Sequence, residues 1–122
     1  MNKFKAEHNL SVRNLTETIK KELVQRITRN LLDIQILRLI RTQPMWGYMI
    51  KKQVGAKFSV TLRHGALYPL LNKLEQEGFL TSQRQQQGGR TRKVYAITQK
   101  GKDYVEAYEG ILKEQIQKQD IG

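Results

Sequence analysis

The chain contains no cysteine. It therefore forms no disulfide, holds no thiolate-bound metal and has no thiol nucleophile. Its two histidines, His8 and His64, do not by themselves complete a zinc site, so neither metal nor cofactor is expected. No apolar run approaches the roughly 18 residues that a membrane helix needs, and the mean hydropathy is −0.61. The polar N-terminus lacks a hydrophobic block before a small-residue cleavage site, so a cytoplasmic location is expected, with no membrane partner. Catalytic patterns are missing as well. There is no glycine-rich phosphate cradle ending in Lys-Ser/Thr and no acid pair placed in a candidate pocket, and Asp103, Glu106 and Glu109 read as solvated charge on a helix. An enzyme is not expected.

Acidic residues are also scarce: 11 Asp+Glu stand against 22 Lys+Arg, a net charge of +11 and a pI near 10.1. The excess is uneven. Residues 1–46 carry nine basic and four acidic side chains, residues 47–97 nine and two, and residues 98–122 four and five. A charge concentrated over the middle and absent from the tail points to a face for a polyanion rather than to general solubilisation.

At 122 residues one compact domain is the default. The periodicity divides the chain into an arm and amphipathic helix over 1–28, a central unit over 29–98 and a closing helix over 99–122. Residues 1–9 read as a mobile arm, after which Ser11 caps a helix whose stripe is Leu15, Ile19, Leu23 and Ile27. Asn30 reads as the cap of a second helix, apolar nearly all round from Leu31 to Ile40 and stopped at Gln43-Pro44. Trp46-Gly47-Tyr48 forms a turn that Trp46 plugs. A short helix then runs to about Phe58, weakened or ended by Gly55, with Lys51 and Lys52 outward.

The stretch Thr61 to Glu77 is the most informative. Leu67, Leu70, Leu71 and Leu74 fall on one side of a helix, and His64, Tyr68, Asn72 and Gln76 on the other. Pro69 lies near its first turn or else bends it, and Gly78 ends it. The period then changes from 3.6 to 2. Phe79–Gln85 and Thr91–Ile97 form a hairpin with a long polar tip carrying Arg84, Arg90, Arg92 and Lys93 around two glycines. Thr98 caps a last helix with the stripe Val105, Tyr108, Leu112 and Ile116. The expected fold is mainly α with a small β-hairpin, a winged helix-turn-helix flanked by N-terminal and C-terminal dimerisation helices. Leu15, Ile19 and Leu23, and Val105, Tyr108, Leu112 and Ile116, are two stripes that a two-fold dimer would cover.

Three blocks of sequence carry a family likeness. They are Gly47-Tyr48-x-Ile50, then Gly65-Ala66-Leu67-Tyr68-Pro69-Leu70-Leu71 continuing through Leu74-Glu75 to Gly78, then Gly88-Gly89-Arg90-x-Arg92-Lys93-x-Tyr95-x-Ile97-Thr98 ending at Gly101. In order and spacing they closely resemble PadR-type repressors. The resemblance implies a homodimer that binds operator DNA, with Tyr68 at the DNA backbone and Gly65 where the reading helix approaches it. This chain departs from the family pattern at Arg63-His64-Gly65-Ala66, which places Arg63 and His64 where base preference would change. The full set expected to meet DNA is Arg63, His64, Gly65, Tyr68, Asn72, Lys73, Arg84, Arg90, Arg92 and Lys93.

The expected function is therefore a sequence-specific regulator of transcription, in the sense of repression, associated with the nucleoid and reading a pseudo-palindromic operator in double-stranded DNA as a homodimer. The alternative is a winged-helix module that binds RNA or another protein, since fold and charge do not separate these. A small-molecule effector is compatible with the family, and no residue identifies one.

Overall fold

The computed structural model describes residues 3–121, with side chains over 11–86 and 88–118. Its elements are α1 (Lys3–Asn30), α2 (Leu32–Thr42), β1 (Met45–Trp46), α3 (Gly47–Phe58), α4 (His64–Gln76), β2 (Leu80–Gln87), β3 (Arg90–Ile97) and α5 (Gln99–Ile121). Among the described residues no helix is long and apolar enough to cross a membrane.

The core gathers around α2. Ile36, Leu37 and Ile40 are sealed, and Ile50 and Val54 of α3, Leu67, Leu71 and Leu74 of α4, Tyr95 of β3 and Val105 of α5 close over them. Each such side chain stabilises by roughly 1.5–3 kcal/mol on burial, so α2 is the pillar against which the other elements are placed. The sheet has the order β1-β3-β2 and is antiparallel throughout. Its short edge strand β1, where Met45 pairs with Tyr95 and Trp46 with Val94, replaces the expected turn at Trp46. Two residues are too few to show a period.

Several boundaries differ from the sequence reading. The expected arm over 1–9 is helical from Lys3, so Ser11 lies inside α1 and caps nothing; residues 1 and 2 lie outside the described residues. Asn30 does not cap α2. Its amide donates back to the Arg26 carbonyl, the chain breaks at Leu31 (φ −123°, ψ 41°), and Asp33 accepts from the Ile34 N–H in the new first turn. Helix α4 starts at His64 rather than Thr61, because Val60 and Leu62 are both buried while Thr61 and Arg63 are exposed, a two-residue alternation that only extended backbone satisfies.

Gly55 does not end α3. The helix runs to Phe58 and closes on Ser59, whose φ of 56° is left-handed. Gln25 of α1 donates to the Ser59 carbonyl at 2.8 Å, tying α1 to this corner. A left-handed Ser carries strain that glycine lacks, so Ser59→Gly should raise stability by roughly 0.5–1 kcal/mol net of glycine's greater chain entropy. The thermal midpoint should then rise by roughly 2–6 °C, and a lower midpoint would refute the strain.

The wing is also tighter than expected. Its strands extend to Gln87 and Arg90, leaving only Gly88 (φ 57°) and Gly89 (φ 78°) between them. Two consecutive left-handed residues make the primed turn whose twist suits a two-residue hairpin. The expected long loop is thus mostly strand. Thr98 behaves as read: its hydroxyl accepts from the Gly101 N–H and donates to the Gly78 carbonyl, joining the start of α5 to the end of α4.

Candidate nucleic-acid interface

Successive residues of a helix turn by about 100°, so Gly65, Pro69, Asn72 and Gln76 stand opposite the buried Leu67, Leu71 and Leu74. All four are exposed, and among the described residues no other element covers them. Gly65 is the telling member. Among the described residues, nothing outside its chain neighbours and its own helix's backbone lies within 4 Å of where a Cβ would stand, and its φ is not left-handed, so neither packing against another element nor backbone angle requires glycine there.

Tyr68 flanks this face with 40% of its surface exposed. Its ring lies over Gly47, where a Cβ would stand 2.6 Å from the Tyr68 hydroxyl oxygen, and His64 stacks on it at 5.9 Å with ring planes 8° apart. The phenol is thus fixed between the start of α3 and the first turn of α4. Arg63 sits at the N-cap position, exposed and making no capping bond. Across a cleft from His64 and Thr61 stand Tyr48, Lys51 and Lys52 of α3. Lys73 lies 4.0 Å from Glu77 one turn on, a loose and exposed pair.

The wing cations divide into two kinds. Arg84 and Lys93 are cross-strand partners on the side that meets α4, where the Lys93 ammonium donates to Glu75 at 3.1 Å. The Ser82 hydroxyl donates to the other oxygen of the same carboxylate. The Ser82 hydroxyl first, and Lys93 after it, hold Glu75 below the usual carboxylate range, while the bond to Glu75 raises Lys93. On the hairpin's other side Arg92 lies 3.6 Å over the Trp46 ring, which stacks on Tyr48 at 5.1 Å. Trp46 is therefore a platform for the wing rather than a plug in the helix turn. Arg84 and Arg90 make no ion pair among the described residues.

Sequence reasoning missed Glu75, Ser82 and the Trp46 stack. The Glu75–Ser82 contact becomes visible only with the β2–β3 register, which depends on the tip being two residues long, and the Trp46 stack only with the pairing of β1 to β3.

Of the side chains expected to pair two copies, Leu15, Ile19, Leu23 and Ile27 form an exposed stripe on α1, with Leu15 at 61%. On α5, Leu112 and Ile116 are exposed together with Tyr104 and Ile111, and Tyr108 is half-buried. Val105 is a correction. It is fully buried in its own chain's core, because the first turns of α5 pack on α2, and it has no surface left for a second copy. Glu109 is likewise not merely solvated. Arg41 of α2 grips it with two bonds of 2.7 and 3.0 Å, which lowers the carboxylate's proton affinity and pins α5 to the pillar. Among the described residues no group of His, Asp and Glu is placed to hold a metal ion.

Residues 36–107, more than half of the chain, match the model of the transcriptional regulator PadR-like family. No protein of curated function matches by sequence. Among solved structures, a PadR family transcription regulator from Clostridium difficile is 29% identical over 74% of this chain and 97% of its own, with a TM-score of 0.62. A PadR family transcriptional regulator from Eggerthella lenta is 28% identical over 89% of this chain and 95% of its own, with a TM-score of 0.60. Bacillus subtilis PadR, solved in complex with operator DNA, is 31% identical over 64% of this chain and 45% of its own, with a TM-score of 0.60.

Proposed function

The chain belongs to the PadR-like family of transcriptional regulators, and from that premise we propose that it is a repressor that binds a pseudo-palindromic operator as a homodimer at the nucleoid. The observation that carries the reading is the uncovered face of α4, with Gly65, Pro69, Asn72 and Gln76 opposite a sealed leucine face. A B-form major groove is about 12 Å wide and admits one helix held in that way. Asn72 and Arg63 are the base-reading candidates, since amide and guanidinium groups make the paired bonds that distinguish adenine and guanine. Tyr68, His64 and Lys73 flank them, and Arg84 and Arg90 reach phosphates beside the groove. A two-fold pair would set its reading helices about 34 Å apart, one turn of the duplex. Operator binding by Bacillus subtilis PadR supports this reading.

Titration against duplex DNA, duplex RNA and single strands tests it. The expected result is a marked preference for duplex DNA and an affinity that falls steeply with salt; equal binding of the RNA duplex would favour an RNA-binding module instead. Neutralising Arg84 and Arg90 together should flatten the salt dependence by about 0.9 per lost phosphate contact, or roughly 3.6 for the dimer, with sequence preference unchanged. An unaltered slope would remove the wing from the contact.

A further inference from the structure

Residues 47–97 hold nine basic side chains and only two acidic ones, Glu75 and Glu77, and both lie at the end of α4. A carboxylate on the helix that meets a polyanion weakens binding unless it has other work, and the surroundings of Glu75 show what that work is. One oxygen accepts from Ser82 on β2 and the other from Lys93 on β3, so a single side chain holds both strands of the wing. Lys93 stands opposite Arg84 in the strand register, a like-charge pair that Glu75 relieves. On the opposite side of the hairpin, Arg92 is laid on Trp46 of β1.

We infer that Glu75 is a positioning residue that clamps the wing to the reading helix through Ser82 and Lys93, with Lys93 serving as its internal counter-charge rather than as a phosphate ligand. The inference rests on the DNA-binding reading above. Its physical content is pre-organisation. A hairpin fixed to α4 on one side and to β1 on the other presents Arg84 and Arg90 at a set distance from the groove-reading face, so little ordering cost remains at the moment of binding. The clamp costs little charge, because Glu75 and Lys93 neutralise each other.

The test uses the full-length protein and a duplex that the wild type selects from a random library. Charge alone predicts that Glu75→Gln, which removes a negative charge from the DNA-facing side, binds that duplex more tightly. The clamp predicts the opposite sign: affinity lower by about three- to tenfold, with the salt slope unchanged because no phosphate contact is lost. Lys93→Gln separates the roles further. As a counter-charge it should leave the slope intact and be non-additive with Glu75→Gln, whereas as a phosphate ligand it should flatten the slope by about 0.9 per protomer. Ser82→Ala keeps every charge and should lower affinity about twofold, which covers the case in which Glu75→Gln fails to fold. A readout without DNA is amide exchange in β2 and β3, expected to accelerate in Glu75→Gln while α2 stays protected. Unchanged wing exchange together with equal or tighter duplex binding overturns the clamp. Absence of duplex binding by the wild type overturns the DNA-binding reading instead, while wing exchange still decides the clamp.

Discussion

Ile19→Glu should leave each subunit folded and abolish the proposed homodimer. Ile19 is 47% exposed in the single chain, within a stripe that includes Val12, Leu15, Leu23 and Ile27, so the substitution removes no contact from the subunit's own core. In a homodimer the same carboxylate would be buried against apolar surface without a partner, at a cost of several kcal/mol. Light scattering behind size exclusion should report a monomer of about half the wild-type mass. Affinity for a two-half-site duplex should fall by roughly 10²- to 10⁴-fold, because the second reading helix would no longer be delivered by the first. Ile116→Glu, on α5, should act in the same direction. A dimer that persists in both variants would mean that these stripes are not where two copies meet.

The second large effect concerns Gly65, where stability and binding should move in opposite directions. Alanine in that open, helical position should stabilise the subunit by roughly 0.5–1 kcal/mol, since it restricts the unfolded chain and meets nothing in the folded one. On DNA the added methyl would stand at the N-terminal end of the α4 face proposed to enter the groove. Overfilling a well-packed contact costs about 1–3 kcal/mol, here once per half-site. Thermal unfolding and a duplex titration on the same preparation check both signs. Higher stability with undiminished binding would show that no partner comes close to Gly65.

Much of this architecture is legible in the sequence, and the exceptions have identifiable causes. The leucine face of α4 and the Thr98 cap followed from spacing, because a buried helix face repeats over several turns and a capping hydroxyl acts locally. The stripe of α5 misled at Val105. Spacing reports which residues share a face but not whose core receives it, and here the first turns serve the chain's own α2 while Leu112 and Ile116 stay exposed. The start of α4 is not legible in the sequence, because Val60 and Leu62 satisfy a two-residue alternation too short to stand out. Wing pairing was out of reach for a different reason. Glu75, Ser82 and Lys93 meet only if Gly88 and Gly89 are the whole turn, and moving the register by one residue would send Lys93 to the other side of the hairpin. The Arg92 contact with Trp46 needed β1, a strand of two residues, to exist.

Helix α5 is seated at its near end by Val105 and by the Arg41 grip on Glu109, and from there its backbone continues to Ile121, with Ile111, Leu112 and Ile116 exposed along the way. At 1.5 Å per residue that distal part is a rod of about 18 Å, so a tilt of about 5° at the seat displaces its tip by roughly 1.6 Å. If two such rods set the separation of the paired subunits, the spacing of operator half-sites is governed by an angle fixed inside each subunit. Mutations around Arg41 would then shift the preferred number of base pairs between half-sites while leaving the bases read within each one the same.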